Sequence, residues 1–183
     1  MQISAKTWNE YITRLSRLNQ KAGQLMRDYI DRHGTADTAD LIAYAYGLVT
    51  KYGEGSAELA CQMYDALAEA QGALVPAAEP AETASYNEVA RMVNATKDQN
   101  PANLPNGVSR LVKRAGADTS LRNAARDGAE WAWVPHGDTC PFCITLASNG
   151  WQNASDKVLK GGHAQHIHAN CDCEFAIRFD HRT

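Results

Sequence analysis

Residues Glu130–Cys143 read EWAWVPHGDTCPFC, and here the chain changes character. Before this stretch the apolar residues recur at helical spacing. Within it Trp131 and Trp133 alternate around Ala132, the two-residue period of a half-buried strand. His136, Gly137 and Asp138 then turn the chain into a pair of cysteines with two residues between them. The end of the chain answers this pattern: CDCEFAIRF, Cys171–Phe179, alternates as well and places Phe175, Ile177 and Phe179 on one face. The last part is therefore expected to be a small mixed unit of strand, cysteine turn, short helix, loop, histidine turn and strand. With helices in front of it, the fold class is α+β and predominantly α-helical. A helical N-terminal arm or bundle precedes a small mixed C-terminal domain with a Cys/His knuckle.

Upstream, Thr7 and Glu10 fit a capping box, and Trp8, Tyr11, Ile12, Leu15, Leu18 and Ala22 open an apolar helical stripe that Gly34 stops. A second helix is predicted from about residue 38 to Tyr52, ended by Gly53. A third is capped by Ser56 and ended by Gly72, with GEGS, Gly53–Ser56, as the turn between them. Short connections suggest an antiparallel bundle or hairpin set. VPAAEPAET, Val75–Thr83, carries two prolines among small residues and reads as a linker. It divides the chain into a helical region 1–76, a linker 77–84 and a C-terminal domain 85–183. Ser85 and Glu88 repeat the capping-box pattern, starting a helix that runs to about Lys97. QNPANLPNG, Gln99–Gly107, is expected as a loop. Helices then follow from about Gly107 to Arg114 and from Thr119 to about Glu130.

The 183 residues are 44% hydrophobic, enough for a packed core, and 21% charged with a net charge of -3, which argues against global disorder. A pI near 6.0 argues against a general nucleic-acid coat but leaves room for a local basic face. Arg110, Lys113, Arg114, Arg122 and Arg126 supply such a bias, suited to phosphate or an acidic partner. From Asp37 to Glu88 the balance is acidic, with Lys51 the single cation. No apolar run is long enough to span a bilayer and the first residues are not signal-like, so a chain made in the cytoplasm, with reduced thiols, is expected. Clustered cysteines in that setting bind metal more readily than they form disulfides. Cys61, alone on a helical pattern, reads as a core residue.

Zinc takes four N or S ligands in a tetrahedron. Cys140 and Cys143 span one edge, and HANC, His168–Cys171, repeats their two-residue gap. The first-choice ligands are Cys140, Cys143, His168 and Cys171. Cys173 follows, on the same face of a strand as Cys171, and then His166 and His163. Such an ion would pin two loops of a unit too small to stabilise itself well. Other chemistries fit less. A redox C-x-x-C opens a helix in a βαβ unit, and nothing here suggests a parallel sheet. A zinc deaminase needs H-x-E before its cysteine pair, and a P-loop needs its lysine. A metal-dependent, HNH-like nuclease acting on DNA is the alternative reading, with His163, His166, His168 and Asn170 as bases and ligands. A zinc module for protein binding is a third.

The stretch Arg122–Trp151 followed by HIHANCDCEF resembles the Mu-F-like phage head morphogenesis proteins, also called minor capsid or minor head proteins. The matching residues are Trp133, Gly137, Asp138, Cys140, Cys143, Gly150, His168, Cys171 and Cys173. The likeness covers roughly residues 84–179, and YDALAEAQG, Tyr64–Gly72, looks like the helical front of small members. The resemblance implies a structural, non-enzymatic protein of the virion, inside the capsid or at the portal vertex, acting in head assembly or DNA delivery. It implies portal or major capsid protein as partners, with packaged DNA as a further contact, and no membrane.

Overall fold

A computed structural model describes residues 3–136, 141–155 and 173–179. The described chain is predominantly helical, with a small antiparallel sheet near its end, as the hydrophobic periods predict.

Helix α1 is Ala5–His33. Its cap is Ser4 rather than Thr7, because Ser4 holds the extended backbone and its Oγ accepts from the Thr7 amide at 3.1 Å. Gly34 ends the helix at φ 70°, where the left-handed backbone favours glycine. Helix α2 is Thr38–Gln71, one unbroken rod where two helices and a turn are expected. The apolar row runs through the presumed turn as Leu41, Ala45, Leu48 and Val49, then Ser56, Ala60, Met63, Tyr64 and Leu67, all buried. Gly53 is there for contact: a Cβ on it would lie 2.8 Å from Thr83 Cγ2. Ser56 is an interior residue of the helix and caps nothing.

Helix α3, Tyr86–Lys97, has both halves of the predicted capping box between Ser85 and Glu88. A single 3₁₀ turn at Pro101–Asn103 leads into helix α4, Leu104–Arg126. The loop expected up to Gly107 is shorter, because Pro105 sits in the first turn, where its missing N–H costs nothing. The expected break between residues 114 and 119 is absent. Gly116 packs face to face with α2, where a Cβ would lie 2.6 Å from Ser56 Oγ and 3.1 Å from the Ser56 carbonyl oxygen. The same device joins α4 to α1: a Cβ on Gly23 would lie 2.5 Å from Ser109 Oγ, which donates to the Asn19 carbonyl at 2.8 Å. Helix α4 is thus buried on most of its circumference, against α1, α2 and the sheet.

Strand β1, Glu130–Val134, forms where Trp131 and Trp133 predict it. Helix α5, Pro141–Ala147, follows, then the short β2, Gln152–Asn153, and β3, Glu174–Arg178. The order is β2-β1-β3, all antiparallel, with Trp131 opposite Ile177 and Trp133 opposite Phe175. The other edge of β3 is closed by one side chain. Gln71 Nε2 donates to the Ile177 carbonyl and Gln71 Oε1 accepts from the Phe179 amide, each at 3.0 Å, as a neighbouring strand would.

Residues 77–84, read as a linker, are strapped to α4. The Ala81 amide donates to Thr119 Oγ1 at 3.0 Å, and Asn123 holds the Glu79 amide and carbonyl at 3.0 and 2.8 Å. Two hydrophobic clusters take residues from both sides of this strap. One gathers Tyr11, Tyr64, Leu121, Trp131 and Phe175 with their neighbours; the other gathers Met26, Leu41, Val93, Leu104 and Val112.

Candidate functional site

The cysteine unit is assembled on β1, the central strand. Trp131 and Trp133 project to one face and are both buried, packing on Phe175 with ring centroids 5.1 and 4.4 Å away. Along the end of the chain Cys173, Phe175, Ile177 and Phe179 alternate and are all buried, with Phe179 edge-on to Tyr64 of α2. This aromatic floor orients the start of β3 toward α5. Cys143 of α5 and Cys173 are fully buried, and their sulfurs lie 3.1 Å apart. That is well beyond the ~2.0 Å of a disulfide bond and within hydrogen-bond reach of two sulfurs.

Two sulfurs brought together from stretches far apart in sequence are of the donor type that a structural zinc site uses; among the described residues no group of three or more metal-ligating side chains forms. Cys173, expected only as an alternate, is therefore beside Cys143. Cys140, His163, His166, His168 and Cys171 lie outside the described residues. Cys61 is far from chemistry: burial, with the carboxylates of Glu58, Asp65 and Glu79 nearby, pushes its thiol up to about 11.

Next to Cys173, the Glu174 carboxylate is buried and faces Lys113 Nζ of α4 at 3.8 Å. Lys113 was expected on a basic surface. It is 3% exposed, because it points from α4 toward the sheet rather than along the helix's open line. Burial raises the Tyr11 phenol well above its ordinary value, the Glu174 charge adds to this, and a hydrogen bond with Ser120 opposes it. At the outer edge of the sheet Arg178 Nε donates to Glu130 Oε2 at 2.7 Å, and its guanidinium lies 4.6 Å from the Trp151 ring centroid.

The remaining cations of α4 divide into two kinds. Arg126 is a structural tie: it donates to the Ala77 and Pro76 carbonyls at 3.1 and 2.9 Å and pairs with Asp127 at 2.7 Å. Burial alone would raise the Asp127 pKa, but Arg126 and the Tyr64 hydroxyl, at 2.8 Å, hold it below its ordinary value. Arg114 pairs with Glu88 at 2.9 Å and Asp118 at 3.8 Å. Arg110 and Arg122 are exposed and make no ion pair among the described residues. Arg91, from α3, joins Arg110 and Arg114 in an open cleft of ≈ 390 Å³ floored by Met92 and Leu111. Sequence reasoning missed Arg91, since only the packing of α3 on α4 brings it there.

No helix among the described residues is long and apolar enough to cross a membrane. No curated protein and no solved structure matches the chain. A family model described as VG15 protein matches residues 2–183, and with nearly every residue inside that match the chain belongs to the VG15 protein family, a viral family.

Proposed function

We propose that this chain is a structural component of a phage particle, a minor head protein that contacts portal or major capsid subunits during head assembly or DNA delivery. One observation carries the reading: the viral family matches residues 2–183, nearly the whole chain given. The strand, cysteine helix and strand on which the minor-head resemblance rests support it, because Trp133, Cys143 and Cys173 belong to one buried cluster. Within that unit Cys143 and Cys173 would hold a structural zinc ion, with Cys140, His168 and Cys171, and His163 and His166 behind them, as sequence candidates for the other corners. The ion would supply no reaction, only a cross-link between α5 and β3.

The test is the composition of purified particles. Quantitative mass spectrometry should find the chain in mature virions and in heads at a fixed low ratio to the major capsid protein. Disrupting its gene should leave heads that are empty, aberrant or unable to deliver DNA. A chain absent from both heads and virions would overturn the proposal. The zinc is tested separately by native mass spectrometry before and after chelation. One ion per chain, lost together with the fold around β3, is expected; a metal-free chain with an unchanged fold would remove it.

A further inference from the structure

We propose that the open line of α4, extended by Arg91 of α3, is a contact surface for the phosphate backbone of a nucleic acid. The observation is geometric. Helix α4 meets solvent along a row four residues apart: Arg110, Arg114, Asp118 and Arg122. Four residues of α-helix rise about 6 Å, so Arg110 and Arg122 stand about 18 Å apart along the axis. Steps of that size are of the order of those between neighbouring phosphates of a strand. Glu88 and Asp118 neutralise Arg114, and Glu88 also accepts from the Ser85 amide at 2.9 Å. Asp118 also feels the Arg122 charge, but Arg91, Arg110 and Arg122 are exposed and form no ion pair among the described residues. Arginine's planar fork suits phosphate oxygens, and such contacts need no base recognition.

A second copy of the chain is the competing occupant, because α2 exposes carboxylates. Its row does not match. Glu58 accepts from Gln62 at 3.2 Å and Asp65 from the Ala78 amide at 2.8 Å. Asp40, Glu54 and Glu69 remain, at intervals of about 21 and 22 Å along the helix, too sparse to match steps of about 6 Å. A phosphodiester chain offers an acceptor at each step. The inference rests on the head-protein reading and deepens it by naming the face that meets nucleic acid; the experiment reads binding alone, so its failure leaves the composition of the particles as a separate test.

The experiment is fluorescence anisotropy of a short labelled duplex with the full chain, titrated over a range of salt. Three phosphate contacts predict a slope of log K against log salt of about -3. The variant R91Q/R110Q/R122Q should lose most of the affinity and most of the slope, whereas R14Q/R17Q/K21Q, which removes the same charge from α1, should keep both. Restoring charge with R91K/R110K/R122K should recover binding, which separates lost contacts from a lost fold. No binding at low salt, or equal loss in both glutamine variants, would overturn the proposal. So would salt-sensitive self-association in sedimentation velocity that the R91Q/R110Q/R122Q variant alone abolishes, since that would seat a second copy on the row.

Discussion

Replacing Gly116 by alanine should destabilise this protein although alanine is the better helix former. In an open helical position glycine to alanine gains roughly 0.5–1 kcal/mol, through backbone entropy and propensity. Gly47 of α2 is such a position, exposed and with nothing within 4 Å of an added Cβ. At Gly116 the same Cβ would lie 2.6 Å from Ser56 Oγ and 3.1 Å from the Ser56 carbonyl oxygen. The hydroxyl is short and the carbonyl belongs to α2, so the helices must separate, an overpacking cost of about 1–3 kcal/mol. The net expectation is a loss of about 1–2 kcal/mol for Gly116→Ala against a gain of about 0.5–1 for Gly47→Ala. Ser56 Oγ is buried and makes no hydrogen bond, so Ser56→Ala removes an unsatisfied group at little cost and opens part of the space. Urea denaturation of wild type, Gly116→Ala, Ser56→Ala and the double variant closes a cycle. The double variant should recover about 1 kcal/mol of the Gly116→Ala loss. If Gly116→Ala stabilises as much as Gly47→Ala, or if Ser56→Ala gives no rescue, then α2 and α4 do not meet through these residues.

Gln71→Ala strips the edge of β3 of its only side-chain cover among the described residues. A loss of about 1–2 kcal/mol is expected, with faster hydrogen exchange at the Phe179 amide than at β1 amides. Lys113→Met removes the cation that faces the buried Glu174 carboxylate and should cost about 3 kcal/mol by thermal unfolding. Lys113→Met/Glu174→Leu should return most of it. Acid sensitivity follows from Asp127 and Glu88, whose native pKa values lie below their ordinary ones. Their contribution is complete above the unfolded values of about 4 and is lost as pH falls through the lower native values. The urea midpoint should therefore drop on that descent, and Asp127→Asn should flatten the drop.

The secondary-structure classes are legible in the chain because two periods suffice for them. The alternation of Trp131 and Trp133, and of Phe175, Ile177 and Phe179, yields β1 and β3 as predicted, and Ser85 with Glu88 starts α3. The short β2 carries no such signal, since Gln152 and Asn153 are held by pairing with Glu130 and Trp131. Glycine is where local reading fails. Gly53, read as a helix stop, lies within α2, because a glycine needed for close approach has the same letter as one needed for a turn.

Of the candidate sites, the chain by itself brings Cys143 and the C-terminal cysteines into one hypothesis, since soft ligands in paired stretches limit the chemistry. How β3 lies against α5 is a tertiary fact, and it is what sets Cys173 beside Cys143. The basic run likewise fixes only charge. Position on α4 decides the rest: Lys113 turns inward to Glu174, Arg126 ties down residues 76 and 77, and Arg110 and Arg122 stay open. Residues one apart on a helix face directions about 100° apart, so a cluster in sequence is dispersed around the rod. Only the packing of the neighbouring helices and the sheet determines which of those directions still meets solvent.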